Sequence, residues 1–479
     1  MKLKELLKNV DVLEVAADLD VKVQDVTYDS RRVTPGDLFV AVSGFHSDGN
    51  RFIPMAMAKG AVAVVTATRP AGDVPYVLVE SDRLAMAQLA CSFYGHPAKD
   101  MTMIGITGTN GKTSVTLLLK HVLETCLGAK VGLIGTVENR IGDVVIPTER
   151  TTPESVELQG LFARMRHAGC THVVMEVSSH ALTLERVGGV RFDIGAFTNL
   201  TEDHLDFHKT MEAYGEAKSE LFRRCDKCVL NADDPWYPRM KNAAVGHVLP
   251  TSASVCGGLY AKDAVLKAGG VEFTAVLGDQ EVAVKLGIPG AFTVYNALTV
   301  LGVAIQAGIA LEDAAAALAT ASGVKGRVEV VPTPGKDYTV LIDYAHTPDG
   351  LENVLSSVKG YCKGRLIAVF GCGGDRDPVK RPIMGEIGAR IADIAVITSD
   401  NPRTEVPMDI ISDILAGITD RKNCVVIENR VEAIHHAMDI AEKDDIIILA
   451  GKGHETYQEI HGVKYHLDER EVVAEYLSD

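Results

Sequence analysis

The sequence has 479 residues, enough for roughly two to four domains with hydrophobic cores of their own. Its 64 acidic and 48 basic residues give a formal net charge of −16 at pH 7, which argues against a nucleic-acid-binding protein or a polybasic membrane protein. Hydrophobic residues make up 47% of the chain and charged residues 23%, proportions that exclude a largely disordered protein.

The amino-terminal residues and the cysteines predict a cytoplasmic protein. Residues 1–15 alternate charges with leucines and lack the apolar core and small-residue cleavage site of a signal peptide. The longest uncharged stretch, 287–311, contains Pro289 and several glycines, so no membrane span is predicted. The nine cysteines are scattered and odd in number, which favours reduced thiols. Cys225 and Cys228 have redox or zinc spacing, but no second ligand pair follows, and a strand position is the favoured interpretation.

In chain order, the hydrophobic pattern defines three segments. Residues 1–98 contain short β-like runs between turn-rich pieces, typical of a small α/β domain. Residues 99–330 and 331–479 each alternate apolar strands with helix-length segments, the signature of a mostly parallel sheet. Within the middle segment, 245–285 shows little pattern and 292–320 is an Ala-rich helical region. The predicted fold class is therefore α/β with three domains, the last of them Rossmann-like.

Polar residues follow the predicted strands of the two larger segments. Because open α/β sheets bind ligands outside the carboxyl ends of their strands, we expect these clusters to meet on one rim of each sheet. The clusters of the middle segment are 108–113, 136, 176–180, 199–204 and 231–234. Those of the last segment are 343–346, 371–377, 400–403 and 451–455.

The strongest local signal is the loop Gly105–Ser114, which follows a strand and opens a helix. Its glycines let backbone N–H groups approach a phosphate, Lys112 supplies positive charge, and the Thr113 hydroxyl can bind Mg²⁺. Ile106 stands where the strict phosphate-loop pattern has its first glycine. The alternative is a glycine turn followed by a surface lysine. The loop predicts a phosphate-binding P-loop in the middle segment.

Two further residues at strand ends are candidate metal ligands. Glu176 and His204, with Thr113, would form an oxygen-rich set with one imidazole, which suits Mg²⁺ or Mn²⁺ better than zinc. Each has a structural alternative, because a lone histidine is more often a satisfied core residue. Asp203 and Asp206 can equally cap the helix that follows.

Lys218 lies in a segment, 213–222, whose apolar spacing predicts an amphipathic helix. On spacing alone, Lys218 is predicted to be a surface lysine, because helical lysines usually lie in water.

The last segment carries arginines directly after predicted strands. Residues 374–377 and 400–403 hold Arg376 and Arg403, and bidentate binding of a carboxylate is the natural use of such residues. The alternative for each loop is an Arg/Asp network without a ligand. Residues 451–455 could form another anion loop or a helix start, and they lack the full phosphate-loop pattern.

Taken together, the motifs resemble the Mur ligase family of peptidoglycan synthesis, in order and along essentially the whole chain. They are GITGTNGKTS, EVSSH, NLTEDHLDFH, EAKSELF, NADD, DYAHTPDGLENVL, GCGGDRDPVKRP, DNPRTE and GKGHE. The resemblance implies a UDP-sugar-peptide-binding domain over 1–98, an ATPase domain over 99–330 and an amino-acid-binding domain over 331–479.

The chain most resembles the member of this family that adds the third residue of the peptide. The resemblance implies that ATP phosphorylates the free D-glutamate carboxylate of UDP-N-acetylmuramoyl-L-Ala-D-Glu. The acyl phosphate is then attacked by the amine of meso-diaminopimelate, and ADP and phosphate leave. Cations and backbone donors are needed where charge develops on the phosphoryl group and the tetrahedral carbon.

The resemblance also implies a role for individual residues. The implied catalytic residues are Lys112, Lys218, His204 and Glu176. The implied ATP contacts are Gly108, Thr109, Asn110, Gly111, Lys112, Thr113, Ser114, Asn296, Arg327, Asp343 and His346. Two Mg²⁺ ions are expected, with Thr113, Glu176, His204 and Lys218 as ligands, the last as a carbamylated lysine. The implied substrate contacts are Ser30, His46, Thr151, Thr152, Ser178, Arg186, Arg376, Asp400, Asn401, Pro402, Arg403, Gly451 and Glu455.

The choice of amino acid depends on Arg403, which the resemblance pairs with the carboxylate on the distal stereocentre of diaminopimelate. Lysine lacks that carboxylate, and an unpaired desolvated arginine discriminates against it. The alternatives are a lysine-adding enzyme of the same family and, more remotely, folylpolyglutamate synthase. An ATP-regulated scaffold and a metal-dependent hydrolase are alternatives from other classes. A monomer without nucleic-acid partners is expected.

Overall fold

The structure, a computed structural model, describes residues 1–44, 47–148, 150–254, 257–267 and 269–478. Three sheets of five, eleven and six strands follow one another along the chain, and a two-stranded hairpin comes last. Helices cover the sheets, and most strand pairs are parallel, so the prediction of an α/β fold is confirmed. Short 3₁₀ helices lie at Leu7–Asn9, Gly49–Phe52, Pro97–Asp100 and Phe222–Arg224.

The first sheet has the order β1-β5-β4-β3-β2, and only β1 runs antiparallel to its neighbour. Its strands are β1 (Val12–Ala16), β2 (Val26–Thr27), β3 (Leu38–Ala41), β4 (Ala63–Thr66) and β5 (Tyr76–Val79). Its helices are α1 (Leu3–Leu6), α2 (Ile53–Ala58) and α3 (Asp82–Phe93). β3 and β4 are buried at every residue because α1 and α3 cover one face and α2 the other.

The second sheet has the order β16-β15-β14-β13-β12-β11-β6-β10-β7-β8-β9. Its first seven strands are β6 (Thr102–Thr107), β7 (Val131–Ile134), β8 (Asn139–Ile141), β9 (Val144–Ile146), β10 (His172–Glu176), β11 (Phe192–Phe197) and β12 (Cys225–Asn231). Its helices are α4 (Lys112–Leu127), α5 (Ser155–His167), α6 (Ser179–Thr183), α7 (Leu205–His208), α8 (Met211–Ser219), α9 (Tyr237–Ala243), α10 (Ala291–Gln306) and α11 (Leu311–Ala319). The central strand β6 lies between β10 and β11, so the loop after it starts in the middle of the sheet.

The weakly patterned stretch 245–285 forms the remaining strands of this sheet. They are β13 (His247–Ser252), β14 (Leu259–Lys267), β15 (Gly270–Leu277) and β16 (Gln280–Leu286). β14 to β16 are an antiparallel ribbon at the sheet edge, and β14 is exposed along its second half. An exposed edge strand needs no continuous apolar run, which explains why the sequence pattern was weak.

The third sheet has the order β17-β18-β22-β19-β20-β21, with only β17 antiparallel. Its strands are β17 (Glu329–Val331), β18 (Thr339–Asp343), β19 (Leu366–Phe370), β20 (Ile394–Ile397), β21 (Cys424–Val426) and β22 (Ile446–Ala450), and the hairpin is β23 (Tyr457–Ile460) and β24 (Val463–His466). Its helices are α12 (Pro348–Lys359), α13 (Lys380–Ile391), α14 (Pro407–Ala416), α15 (Arg430–Asp439) and α16 (Glu469–Ser478). The predicted apolar strands of this segment are confirmed.

The eight cysteines of the described ranges are free, and Cys225 and Cys228 are buried in β12. The Cys225 thiol donates a hydrogen bond to the Leu221 carbonyl at 3.0 Å. Within the described ranges, no helix combines the length and the apolar composition that a bilayer crossing requires.

A fully buried ion pair holds the carboxyl-terminal helix on the third sheet. Arg430 Nε lies 2.8 Å from Glu469 Oε1, and both side chains are at most 1% exposed. Arg430 also donates to the carbonyl oxygens of Ser399 and Ala450, at 3.4 and 2.8 Å. These carbonyls belong to the last residues before two polar loops, so the ion pair fixes the point where those loops begin.

Replacing Glu469 with alanine is expected to lower the free energy of opening of β20 and β22 by about 3–5 kcal/mol, because it leaves a buried guanidinium without its counter-charge. Native-state hydrogen exchange of these strands measures the change. The control is Asp420→Ala, which removes an exposed pair with Lys422 and should cost less than about 1 kcal/mol. Equal protection in both variants would contradict this role for the buried pair.

Candidate functional site: a phosphate loop and two polar strand ends

The loop between β6 and α4 is shaped by glycines at two positions. Gly108 has φ +150°, and a Cβ there would lie 1.9 Å from Thr198 Oγ1. Gly111 caps α4 with φ +85°, and its Cβ would lie 2.4 Å from Asn296 Oδ1. Only glycine fits such positions, and the first-turn N–H groups of α4 then point toward the loop. This is the local geometry that binds a phosphate.

The remaining predicted loop residues are held in this geometry by β11 and its following loop. The backbone N–H groups of Thr109 and Asn110 donate to Asn199 O and Asn199 Oδ1, both at 2.9 Å. Lys112 Nζ folds back to the Gly108 and Thr109 carbonyls, at 2.8 Å each. Ser114, in the first turn of α4, is half-buried. Burial lowers the pKa of Lys112, against the opposing charges of Glu176 and Asp203.

Replacing Gly111 with alanine is expected to weaken binding of an ATP analogue by at least about tenfold, because the methyl group displaces Asn296 and strains the backbone. Isothermal titration calorimetry measures the affinity. The matched control is Gly128→Ala at the other end of α4, where φ is also positive at +60° but nothing lies within 4 Å of the Cβ. We expect unchanged affinity in the control, and equal losses in both variants would contradict the steric argument.

Glu176, the last residue of β10, is 1% exposed and accepts hydrogen bonds on both oxygens. Thr113 Oγ1 and Thr136 N donate to Oε1, and Thr136 Oγ1 donates to Oε2, all at 3.0 Å. The carboxylate and the Thr113 hydroxyl therefore lie side by side at the start of α4. Such hard oxygen donors suit Mg²⁺.

His204 is the N-cap residue directly before α7 and has a left-handed conformation, with φ +55°. Its ring packs edge-on against the His180 ring, with centroids 4.9 Å apart, and lies 6.1 Å from the Tyr214 ring. Burial lowers its pKa, while Asp203 acts in the opposite direction. The imidazole is therefore neutral near pH 7, as a metal ligand must be.

Lys218 is buried, so its prediction as a surface lysine from helical spacing is wrong. It is 1% exposed, Nζ donates to Gly108 O at 2.8 Å, and Nζ lies 4.5 Å from the centre of the Tyr214 ring. Burial and the neighbouring Lys112 hold the pKa of Lys218 well below its ordinary value. The helix α8 thus points an amine directly at the phosphate loop.

Thr113, Glu176, His204 and Lys218 are the candidate metal ligands, and their donor chemistry can be compared with that of Mg²⁺. Within the described ranges, no group of three or more His, Cys, Asp or Glu side chains is arranged to hold a metal ion. Thr113, Glu176 and His204 offer oxygen donors and one nitrogen donor, whereas the amine of Lys218 is a poor ligand for Mg²⁺, which prefers oxygen. Carbamylation would convert Lys218 into an oxygen donor and complete a set suited to Mg²⁺.

Residues predicted to contact the sugar peptide adjoin Glu176. Thr151 Oγ1 lies 3.0 Å from Thr136 Oγ1, and Thr152 Oγ1 donates to the Glu176 carbonyl at 2.8 Å. Ser178 N donates to Thr152 Oγ1 at 3.2 Å. The predicted substrate side and the metal side are therefore one hydrogen-bonded cluster.

Arg186 extends this cluster, since it donates to the Thr152 carbonyl at 3.1 Å and pairs with Glu154 at 2.8 Å. Ser30 is buried in the first sheet region, and His46 lies outside the described residues. A cavity of about 950 Å³ extends along α5, between residues that flank Ser30 and residues that flank Thr151. Its lining includes Tyr28, Arg32, Arg150, Pro153 and Glu154.

The predicted nucleotide contacts beyond the loop come from α10 and the third sheet. Asn296 packs against Gly111, as described above. Arg327 lies over the Tyr344 ring, with Cζ 5.2 Å from its centre, and its Nε is buried with no hydrogen-bond partner. An unpaired guanidinium N–H suits an anionic ligand.

Asp343 and His346 make local contacts. Asp343 accepts from the backbone N–H groups of Val328 and Ala345 at 2.8 Å each, and burial raises its pKa, opposed by Arg327. His346 Nδ1 lies 2.8 Å from the Tyr344 carbonyl. Asp343 therefore helps to fix the position of the loop that carries Arg327.

Asp349, which was not predicted as a site residue, joins the third sheet region to the phosphate loop. Its Oδ2 accepts from Asn110 Nδ2 at 2.7 Å and from Thr201 Oγ1 at 2.8 Å. Its position in the first turn of α12 is the feature that could have indicated it as a site residue.

At the same carboxyl end of the third sheet, the loops after β20 and β22 converge beside the loop that follows β18. Asn401 Nδ2 donates to Glu455 Oε2 at 2.8 Å. Asp400 is buried, and a Cβ at Gly451, where φ is +117°, would lie 2.5 Å from Asp400 Oδ2. Residues 451–456 form a loop that leads into β23, so the helix-start alternative for this motif is wrong.

Two arginines lie beside these loops. Arg403, with φ +51°, donates from NH1 to the Gly374 carbonyl at 2.7 Å and has Nε 3.3 Å from Glu459 Oε2. Arg376 is exposed on the neighbouring loop. The Pro402 carbonyl packs so closely on Gly374 that a Cβ there would lie 2.0 Å away. Asp400, Asn401, Glu455, Arg376 and Arg403, called the amino acid pocket below, therefore combine cationic and anionic side chains that can pair with carboxylate and ammonium groups.

A glycine-shaped loop at the centre of a parallel sheet, beside a buried carboxylate, defines an α/β protein of the P-loop nucleotide-binding class. Three family models match: the Mur ligase middle domain at 106–304, the Mur ligase glutamate ligase domain at 326–453, and the catalytic domain of the Mur ligase family at 22–94. The chain belongs to the Mur ligase family.

Individual relatives match over the whole length. The chain is 49% identical to the UDP-N-acetylmuramoyl-L-alanyl-D-glutamate--2,6-diaminopimelate ligase of Caldanaerobacter subterraneus, with 100% of this chain and 99% of the relative covered. A solved structure of a ligase of the same name is 32% identical, has a TM-score of 0.75, and is covered to 99% by the full chain. A MurF ligase of Thermotoga maritima in complex with ADP is 20% identical, with a TM-score of 0.63 and coverage of 95% and 97%, and shares the fold.

Proposed function

We propose that this chain is the ATP-dependent ligase that adds meso-diaminopimelate to the D-glutamate of UDP-N-acetylmuramoyl-L-Ala-D-Glu, a step of peptidoglycan precursor synthesis. The observation that carries the proposal is the hydrogen-bonded cluster in which Thr113, Glu176 and Thr152 join the phosphate loop to the substrate side. The full-length likeness to diaminopimelate ligases supports it.

The reaction is an ADP-forming amide ligation. A carboxylate is a poor acyl donor, and phosphorylation by ATP turns one of its oxygens into a leaving group. In this proposal, Lys112 and the first-turn N–H groups of α4 bind the phosphates, and Arg327 offers its unpaired N–H to the same anion. The amine of the amino acid then attacks the acyl phosphate, and phosphate departs.

Two Mg²⁺ ions would neutralise charge on the transferring phosphoryl group when bound. Thr113, Glu176, His204 and carbamylated Lys218 are the ligands we propose. Support for the carbamate comes from the burial of Lys218, its contact with Gly108 and the low pKa of its amine, since the neutral amine is the form that reacts with CO₂.

The remaining assignments follow the same cluster. We propose that Thr151, Thr152, Ser178 and Arg186 bind the sugar peptide and that the cavity along α5 accepts its uridine diphosphate end with Ser30 and His46. We further propose domains at 1–98, 99–330 and 331–479, a cytoplasmic location and a monomer.

The amino acid pocket favours diaminopimelate over the lysine alternative. Arg403 and Arg376 can pair with a second carboxylate, which L-lysine does not have, and Glu455 and Asp400 can accept from an ammonium. Folylpolyglutamate synthase is disfavoured because that activity would leave no role for a UDP-binding domain at residues 1–98 or for the motif at 400–403.

The test is ADP release by the purified protein with ATP, Mg²⁺, UDP-N-acetylmuramoyl-L-Ala-D-Glu and meso-diaminopimelate, with each component omitted in turn. A ligase releases ADP only when both substrates are present. Phosphate release without the amine would indicate a hydrolase, and binding of ATP without any release would indicate a scaffold.

A further inference from the structure

Lys452 is a fully buried lysine that the sequence did not single out. Its side chain is 0% exposed, and Nζ lies 3.0 Å from Asn401 Oδ1, 3.4 Å from Glu455 Oε2 and 3.8 Å from Asp400 Oδ1. Nζ also lies 5.7 Å from the centre of the Tyr457 ring. All three oxygen partners belong to the pocket proposed for the amino acid. Since these partners enclose Nζ, we expect Lys452 to act on binding through them.

The ammonium determines which way the Asn401 amide faces. Lys452 Nζ is a donor only, so the oxygen of Asn401 must face it, and Glu459 N donates to the same oxygen at 2.9 Å. The amide nitrogen is thereby turned to Glu455 Oε2, and one of its two N–H groups remains for a ligand. A free N–H suits a carboxylate, whereas the flipped amide would offer an oxygen and suit an ammonium.

The same charge holds two carboxylates in place. Burial acts to raise the pKa of Asp400, but the charges of Lys452 and Arg430 outweigh it, and the pKa lies below its ordinary value. Glu455 Oε2 is shared between Lys452 and Asn401, which leaves Oε1 to accept from a ligand. Without the ammonium, Asp400 and Glu455 would repel each other and any incoming carboxylate.

We propose that Lys452 is a positioning residue of the amino acid pocket, whose buried ammonium orients the Asn401 amide and neutralises Asp400 and Glu455, and which thereby sets the preference for diaminopimelate over lysine. The inference rests on the proposed function. It extends that function to a residue that touches neither substrate.

The experiment compares steady-state kinetics of the wild type, Lys452→Met and Lys452→Arg with diaminopimelate, L-lysine, ATP and the UDP-dipeptide. For Lys452→Met we expect the KM for diaminopimelate to rise at least about tenfold, with kcat within about threefold and the KM for ATP within about twofold. The ratio of kcat/KM for diaminopimelate to that for lysine should fall at least about tenfold, because lysine carries no distal carboxylate. Lys452→Arg keeps the charge and should restore part of the preference.

The matched control is Lys464→Met. Lys464 lies on β24, 4.2 Å from the centre of the same Tyr457 ring, but it is exposed. Unchanged KM and preference are expected there.

Two outcomes would overturn the inference. One is a folded Lys452→Met enzyme with the wild-type KM for diaminopimelate. The other is an equal rise of the KM values for diaminopimelate, ATP and the UDP-dipeptide. Should Lys452→Met not fold, Asn401→Asp, which removes the free N–H but keeps a partner for Lys452, must lose the same preference. A wild type that uses neither amino acid would refute the proposed function instead, so the two failures are distinguishable.

Discussion

Replacing Arg403 with alanine is expected to lower kcat/KM for meso-diaminopimelate by about a hundredfold to a thousandfold, while the affinity for ATP changes less than twofold. The guanidinium is anchored at NH1 by the Gly374 carbonyl and at Nε by Glu459, and we propose that its other N–H groups pair with the distal carboxylate. A carboxylate bound there loses a charge-assisted pair, which accounts for a loss of this size. Initial-rate kinetics and calorimetry with an ATP analogue measure the two effects separately.

The control for Arg403 is Arg421→Ala, an exposed arginine of the same sheet region that donates to the Leu415 carbonyl. It should leave both quantities unchanged. If Arg403→Ala lost ATP affinity as strongly as diaminopimelate use, Arg403 would not belong to the amino acid pocket.

Replacing Lys218 with alanine is expected to lower kcat by at least about a thousandfold, because the variant removes the buried amine of α8 that donates to the Gly108 carbonyl in the phosphate loop. Formate or bicarbonate should restore part of the activity, since a small carboxylate can occupy the position of the carbamate oxygens. Carbon-13 NMR of the wild type after incubation with labelled bicarbonate should show a carbamate signal that the variant lacks.

The control for Lys218 is Lys120→Ala on α4, a buried lysine that pairs with Glu124 away from the loop. We expect it to retain activity. If Lys218→Ala kept full activity, or if Lys218→Arg were as active as the wild type, a catalytic role for carbamylated Lys218 would be excluded.

The phosphate loop and the parallel strands could be predicted from the sequence because their signals are local. A strand such as β6, buried on both faces, is a continuous apolar run, and Gly108 and Gly111 mark positions that only glycine fits. The polar residues after the strands could be predicted as site residues for a similar reason. The carboxyl ends of parallel strands lie at the same edge of a sheet, so residues that follow them come together there.

Other features could not be predicted because they depend on elements distant in the chain. Helical spacing did not show that Lys218 lies under the loop, since the partner that buries it is 110 residues away. The sequence around Lys452 shows only a lysine between two glycines. Its role depends on the contact with Asn401, which lies 51 residues earlier in the chain. The edge ribbon β14 to β16 lacks a pattern because one side of it needs no apolar residues.

The most direct test of the central claim is the ratio of kcat/KM for meso-diaminopimelate to that for L-lysine, with the product of each reaction identified by mass spectrometry. We expect this ratio of kcat/KM values to be at least about a hundred, and we expect a tripeptide product that contains diaminopimelate. A ratio near or below one would contradict it, because Arg403 would then have no second carboxylate to recognise.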